Sequence, residues 1–311
     1  MSNSTVADLP GQAPVVMADE TVCGSGQRSG GAVDRDFLLP AAIVLTLLAG
    51  LYYNIGSRLA VDWYTLPDQS YGLLIPFFIL FLLGKERDAL LSSKSKPTWM
   101  GIWLVAMGLL VLLTGVFGAD LFLSRLSFLI LTAGLVWTLL GLELLKRIRF
   151  MLFVALLAVP LPALILNQIT FPLQLYASKF ATALLTLSGV PVLRDGNVLQ
   201  LPAMPLEVAE ACSGIRSLTS LLTVAVICGY FIEPTNTRRV ILAVASIPIA
   251  IAANAMRIFG TGLCVQYWDP DKALGFFHEF SGWVIFLVSL TCLYAVHKMM
   301  SLIARRNGRT A

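Results

Sequence analysis

The chain turns from polar to apolar at Glu207-Val-Ala-Glu-Ala-Cys-Ser-Gly-Ile-Arg-Ser217, which leads into the apolar run 218–232. This order predicts that Cys212 lies at the mouth of a membrane helix, with Arg216 one turn deeper on the same face. Ionisable groups at membrane depth are costly and are usually retained for function. A thiol at a helix N-terminus beside an arginine also favours the thiolate. The alternative is an inert, buried cysteine near an arginine that reaches toward the interface.

The composition around this stretch is that of a membrane protein. Of 311 residues, 57% are hydrophobic and 13% are charged, whereas soluble domains contain about 25% charged residues. We therefore expect an all-α polytopic membrane protein that contacts membrane lipid. The net charge is only +4, and no basic stripe alternates with aromatic residues, so a nucleic-acid partner is not expected. The five cysteines show no CxxC spacing and no disulfide framework.

Eight apolar runs have the composition of membrane spans, each of which needs about 20 residues. They are 37–55, 70–84, 99–117, 121–143, 150–166, 214–232, 240–262 and 280–300. A ninth run, 171–187, contains Gln174, Ser178 and Lys179 and is more amphipathic.

Loop charges indicate that this ninth run does not cross the membrane. Four basic clusters follow the second, fourth, sixth and eighth runs: Lys85, Arg87, Lys94 and Lys96; Lys146, Arg147 and Arg149; Arg238 and Arg239; Lys298, Arg305, Arg306 and Arg309. All of them fall on one side, the cytoplasm, only if 171–187 stays on the other side. We therefore predict about eight transmembrane helices, a surface or re-entrant helix on the outer face, and both termini inside.

The remaining segments complete the expected organisation. Residues 1–35 are polar and rich in Gly and Ser, which predicts a disordered cytoplasmic tail rather than a signal peptide. Residues 36–300 form the integral membrane domain, and 301–311 form a basic cytoplasmic tail. Between the ninth run and Cys212, the pair Asp195-Gly196 predicts a small outer β-hairpin, with an irregular loop as the alternative.

This topology brings three chemically suited residues to one leaflet. Cys212 starts its helix at the outer face, Arg257 lies near the outer end of the next span, and His278 precedes the last span. Histidine suits general acid–base work, and the forked guanidinium suits an oxyanion or a carboxylate. Asn254 shares a helix face with Arg257 and can orient it. Since the other histidine, His297, lies near the cytoplasmic end, no metal site is expected, and no cofactor.

The same residues resemble a known family. The motifs Glu210-Ala-Cys-Ser-Gly-Ile-Arg-Ser217, Asn254-Ala-Met-Arg257, and His278 with Ser281-Gly-Trp283 resemble the exosortase/archaeosortase family. Further similar segments are Asp68-Gln-Ser-Tyr-Gly-Leu-Leu-Ile75, Pro160-Leu-Pro162 and Pro191-Val-Leu-Arg-Asp-Gly-Asn-Val198. The likeness covers roughly residues 60–300. One departure is Tyr71, where many members of the family carry a histidine.

The resemblance implies an integral membrane cysteine peptidase or transpeptidase. Such enzymes cleave C-terminal sorting signals of exported proteins, built from a Pro-Glu-Pro motif, a membrane helix and a basic tail, and they accompany exopolysaccharide production. By this resemblance Cys212 is the nucleophile and Arg257 and His278 complete its triad, while Glu210 and Arg216 match supporting motif positions. It also implies a bacterial inner membrane location, with the active site facing the periplasm or the outside.

An alternative from another functional class is a transporter, or a flippase for a lipid-linked saccharide. In that case Arg216 and Arg257 would bind an anionic substrate. Transporters carry polar residues near the bilayer midplane, commonly on broken helices. Apart from Pro248 and Asn254 the midplane here is largely apolar, which favours the enzyme.

Overall fold

The structure is a computed structural model that describes residues 35–93, 96–208, 214–268 and 276–307. The predicted N-terminal tail, Glu210 and Cys212 lie outside the described residues. So does the side chain of His278, although its backbone belongs to a described helix. Residues 51–311 group into one compact unit, and the contacts reported below lie within it. Residues 35–50, the described part of the other unit, form the first half of a long helix.

The fold is all-α with one small sheet, as the sequence predicts. The helices are α1 (Arg35–Thr65), a 3-10 helix (Pro67–Leu73), α2 (Leu74–Lys85), α3 (Arg87–Leu91), α4 (Gly101–Phe117), α5 (Leu121–Leu140), α6 (Leu142–Leu157), α7 (Ala163–Leu187), α8 (Ile215–Ile232), α9 (Asn236–Tyr267) and α10 (Phe276–Asn307). The strands are β1 (Leu193–Asp195), β2 (Val198–Gln200) and β3 (Pro205–Glu207).

Six stretches of helix among the described residues are long and apolar enough to cross a membrane. They are Ala42–Thr65, Pro67–Lys85, Leu121–Leu140, Ile215–Ile232, Asn236–Tyr267 and Phe280–Arg306. Helix α4 is apolar but shorter. Many large apolar side chains on these helices are exposed, as is expected where lipid rather than water is the solvent. Seven of the eight predicted runs therefore have a matching apolar helix, and the predicted number of spans is approximate.

The fifth predicted run, 150–166, is not one helix. Helix α6 ends at Leu157 and α7 begins at Ala163, with Pro160 and Pro162 between them. Proline lacks an N–H and disfavours helical geometry in the residue before it, so two prolines two residues apart end the helix. The carbonyls exposed at this break accept hydrogen bonds from distant side chains: Trp63 Nε1 donates to Ala158 and Tyr71 donates to Leu157.

Helices α8, α9 and α10 run side by side, and their ends define two ends of the bundle. We call the end where α8 begins the upper end and the end where α8 finishes the lower end. Helix α9 runs back up, and α10 runs down, because His297 near the end of α10 contacts Glu233 just after α8. Apolar side chains fill the space between the three helices: Leu221, Ala225, Leu242, Ala250 and Leu293.

Helix α7 runs alongside α9. Leu173 of α7 lines a small cavity with Ala250 and Asn254 of α9, and further along both helices a Cβ placed on Gly262 would lie 3.0 Å from Leu185 Cδ1. Among the described residues, α7 is not one of the six stretches that are long and apolar enough to cross a membrane. Its placement as a surface or re-entrant helix stays a prediction.

The predicted hairpin is present and is extended to three antiparallel strands in the order β1-β2-β3. Asp195 pairs with Val198, which leaves a two-residue turn whose first residue, Gly196, has φ +61°. Glycine is the residue that this turn requires. Leu199 of β2 is fully buried against α7 and α9, and Ser178 of α7 donates to the Gly196 carbonyl. The sheet thus covers the upper end of α7 and α9.

Candidate active site

The start of α8 is pressed against the middle of α9. Gly214, two residues after Cys212, adopts φ +80°, a left-handed conformation that favours glycine. A Cβ at this position would lie 2.9–3.0 Å from the side chain of Asn254. Glycine is required here both by the backbone and by the space. The described chain therefore resumes, two residues after Cys212, directly beside the Asn254 side chain.

Asn254 and Arg257 lie one turn apart on the same face of α9. Asn254 is buried, with 3% of its surface exposed, and Arg257 is partly buried. The Arg257 carbonyl also accepts a hydrogen bond from Thr261 Oγ1. Placing an amide and a guanidinium inside an apolar helix is costly unless they are bonded. Packing alone therefore does not explain why α9 carries these two polar side chains.

The Arg257 side chain reaches α10. A Cβ added to Gly282 would lie 3.9 Å from Arg257 Cζ, so the guanidinium sits against the second turn of α10. Residue 278 lies one turn earlier on that helix, and positions four apart share a face. A cavity of about 120 Å³ adjoins the guanidinium, and its walls include Thr261, Cys264 and Ser281.

These contacts connect the neighbourhoods of the three predicted catalytic residues. Gly214, close after Cys212, touches Asn254; Arg257 is one turn away and faces the turn of α10 that follows residue 278. All of these positions lie at the upper end. The roles of Cys212, Arg257 and His278 stay predictions, because the cysteine and the histidine side chain lie outside the described residues.

Arg216 forms an ion pair with a residue that the sequence analysis did not connect to it. Its Nε donates to Asp68 Oδ1 at 2.8 Å, across 148 residues of sequence. The two side chains are 49% and 37% exposed, so the pair lies at the edge of the bundle. An aspartate directly before the apolar run 70–84 was the available signal, since a carboxylate at a membrane edge generally has a partner.

Tyr71 lies one turn beyond Asp68 on the same 3-10 helix. Its hydroxyl donates to the Leu157 carbonyl at 3.1 Å. Tyr71 therefore joins the 3-10 helix to the end of α6. At the position where the family resemblance suggested a histidine, this chain has a residue with clear structural contacts.

His297 belongs to a different cluster at the lower end. Its Nδ1 lies 2.6 Å from Glu233 Oε1, and Arg238 Nη1 lies 3.8 Å from the other carboxylate oxygen. The Glu233 side chain is only 1% exposed. This cluster ties α8, α9 and α10 together. In the described part of the chain, no group of three or more His, Cys, Asp or Glu side chains could hold a metal ion.

Comparison with known families agrees with this architecture. A family model described as transmembrane exosortase (Exosortase_EpsH) matches residues 63–295, from the end of α1 to the middle of α10. The match therefore includes the 3-10 helix, the sheet, and the helices that carry Arg216, Asn254 and Arg257. No curated protein and no solved structure matches the chain at a significant level. Because the family model spans well over half of its 311 residues, the chain belongs to the transmembrane exosortase family.

Proposed function

We propose that this protein is a membrane-embedded cysteine transpeptidase that cleaves C-terminal sorting signals of exported proteins. Membership of the transmembrane exosortase family supports a sorting role in the membrane. The single observation that best supports cysteine chemistry is the contact of Gly214 with Asn254, one turn from Arg257. It brings Gly214, two residues after Cys212, to the polar face of α9. Cys212, Arg257 and His278 are the proposed catalytic residues.

The proposed reaction is acyl transfer through a thioester. The Cys212 thiolate attacks the carbonyl carbon of the scissile peptide bond and forms a tetrahedral intermediate with a negatively charged oxygen. Collapse of this intermediate breaks the C–N bond, and His278 gives the leaving amine its proton. An amine or water from outside the membrane then attacks the thioester, gives up a proton to His278, and releases the thiolate.

Arg257 is proposed to stabilise the developing oxyanion. Its planar guanidinium offers several N–H donors in fixed directions, and such donors act strongly in a site that excludes water. Asn254 lies one turn earlier and borders Gly214, two residues after Cys212, which suits a role in orienting the arginine. Glu210 and Arg216 are proposed to support the loop from its two sides.

The proposed substrate is an exported protein whose sorting signal ends in a membrane helix and a basic tail. Its Pro-Glu-Pro-like motif would reach the upper end of the bundle. We propose, from the loop charges, that this end faces the periplasmic or outer side of the inner membrane. Cleavage there releases the helical anchor within the bilayer. A link to exopolysaccharide production belongs to the same proposal.

The transporter alternative receives less support. It requires Arg216 and Arg257 to offer positive charge to an anionic substrate, but Arg216 is paired with Asp68. In addition, Arg216 contacts the 3-10 helix, whereas Arg257 contacts α10. The carboxylate of Asp68 offsets the positive charge that Arg216 could offer to an anion.

The proposal is tested by co-expression of the protein with a tagged reporter that ends in a sorting signal. We expect the reporter to lose its C-terminal helix and tail, as measured by immunoblot and intact mass. A reporter that lacks the basic tail and motif is the control. If the complete reporter remains uncut by the wild-type chain in isolated membranes, cleavage of this substrate class is excluded.

A further inference from the structure

An ion pair joins the 3-10 helix to the first turn of α8. Asp68 Oδ1 accepts a hydrogen bond from Arg216 Nε at 2.8 Å. Arg216 is the second residue of α8, and Asp68 is the second residue of the 3-10 helix. The pair therefore connects the starts of these two helices, four residues after Cys212 in the sequence.

The 3-10 helix is itself firmly anchored. A Cβ on the buried Gly72 would overlap the indole of Trp63, so the backbone of the 3-10 helix lies directly on that ring. The indole Nε1 donates to the Ala158 carbonyl at 2.9 Å, and Tyr71 donates to the Leu157 carbonyl. Asp68 thus lies on a 3-10 helix that is anchored to α1 and to the end of α6.

The ion pair itself adds little to the stability of the fold. Both side chains are well exposed, and pairs of this kind are screened by solvent and salt. The pair instead determines the orientation of the Arg216 guanidinium. Arg216 donates its Nε–H to Asp68, and this hydrogen bond orients the planar group.

We propose that Asp68 is a positioning residue of the active site, which acts by fixing the Arg216 guanidinium in the first turn of α8, four residues after Cys212. This inference rests on the proposed function and deepens it. Arg216 lies four residues after Cys212, where a cation held in place adds to the positive end of α8. Without Asp68 the long side chain is free to turn toward water and lipid headgroups.

A direct charge effect of Asp68 and a positioning effect have opposite signs. A carboxylate near a thiol disfavours the thiolate, so its removal makes the thiol more reactive at low pH. If Asp68 instead holds Arg216 in place, its removal lets the cation leave and makes the thiol less reactive at low pH. The pH dependence of alkylation therefore separates the two roles.

The experiment uses the full chain in membranes, with Cys23, Cys228, Cys264 and Cys292 replaced by alanine so that Cys212 is the one thiol left. Alkylation by N-ethylmaleimide, an uncharged probe, is followed from pH 5 to pH 10. Asp68→Asn is measured alone and combined with Arg216→Gln. Ser70→Ala changes the same 3-10 helix but keeps both members of the ion pair, and serves as the matched control.

We expect Asp68→Asn to move the alkylation midpoint to higher pH by roughly half a unit to one unit, and Ser70→Ala to leave it in place. In the Arg216→Gln background, Asp68→Asn should cause no further upward shift. On the native cysteine background, kcat for reporter cleavage should fall about three- to tenfold with little change in KM, and Asp68→Glu should recover part of the loss.

A downward shift of the midpoint in both backgrounds would show a direct charge effect and overturn the proposal. So would unchanged alkylation together with unchanged kcat. If the alkylation shifts follow the expected pattern but no variant, including wild type, cleaves any reporter, Asp68 still positions Arg216 for the thiol. In that case the proposed peptide cleavage is what fails.

Discussion

The two ends of α8 carry ionic clusters of opposite character. At the lower end, Glu233 is buried and contacts His297 of α10, with Arg238 of α9 nearby. At the upper end, Arg216 and Asp68 are about half exposed. Breaking a buried pair leaves an uncompensated charge and typically costs about 3–5 kcal/mol, whereas an exposed pair contributes about 0–1 kcal/mol. Disruption of the lower cluster should therefore destabilise the bundle, whereas for the upper pair we propose the positioning role described above.

The comparison extends to the surroundings of each cluster. The lower end is packed with aromatic rings: Phe150 stacks on Tyr230 at 3.8 Å between ring centroids, and Arg239 lies over the Tyr230 ring. The upper end instead has a left-handed glycine, a polar face on α9 and a cavity beside Arg257. A tightly packed lower end and a more open, polar upper end are what we expect of a helix bundle with a catalytic site at its upper end.

The largest effect is expected at the upper end, for Cys212→Ala. This change should abolish reporter cleavage while the protein still inserts and unfolds at the wild-type temperature. The nearest rival thiol is Cys264, which borders the Arg257 cavity, so Cys264→Ala is measured in parallel. Cys292→Ala, at an exposed position on α10, is the control. Loss of activity in Cys264→Ala with activity kept in Cys212→Ala would assign the nucleophile to Cys264.

The second largest loss of activity is expected from substitution of His278. His278→Ala is expected to lower the rate of cleavage by about two to four orders of magnitude, the usual contribution of a general acid–base group. Chelators should not affect the wild type if the histidine transfers protons rather than binds a metal. His297→Ala, which alters the lower cluster, provides the contrast and should keep kcat. Inactivation by a chelator with recovery on addition of zinc would contradict the proton-transfer role.

Arg257 separates geometry from charge. Arg257→Ala should lower turnover about a hundred- to a thousandfold, which is typical for the loss of one oxyanion donor. Arg257→Lys should be nearly as poor, because an ammonium group lacks the planar fork. Initial rates over a range of reporter concentrations give kcat and KM separately. If Arg257→Lys keeps most of the activity, the residue guides the substrate by charge, and the oxyanion has another donor.

The smallest effect on catalysis is expected at the lower end. Glu233→Gln keeps the size of the side chain but removes the buried charge that faces His297 and Arg238. Stability should fall by about 1.5–3 kcal/mol, the range for hydrogen bonds to charged groups. Thermal unfolding measures this loss, while kcat per folded molecule should stay near wild type. A large fall in kcat at unchanged stability would mean that the two ends are coupled.

The parts of the fold that could be predicted are those determined by a few neighbouring residues. The pair Asp195-Gly196 predicts a tight turn, and the hairpin is present. The run 150–166 was interpreted as one span because its composition is apolar, but composition does not register the helix break that Pro160 and Pro162 impose. The third strand, β3, was missed because a three-residue strand carries almost no periodic signal.

Contacts in the candidate site between residues far apart in the sequence could not be predicted. Arg216, Asn254 and Arg257 were identifiable as ionisable or polar groups in an apolar context. Their partners were not, because the sequence does not show that Asp68 meets Arg216 across 148 residues or that Arg257 reaches Gly282. Such pairings depend on how the helices pack. The catalytic roles of Cys212 and His278 stay predictions for experiment.

The most direct test of the account is to trap the acyl-enzyme on Cys212. Wild-type protein in membranes is incubated with the sorting-signal reporter, quenched in acid to preserve thioesters, digested, and examined by mass spectrometry. We predict a reporter peptide, ending at the cleavage point, linked to the Cys212 peptide and released by hydroxylamine, with a larger yield in wild-type than in Asp68→Asn protein. Cleaved reporter with no adduct on Cys212, or an adduct on Cys264, would contradict the central claim.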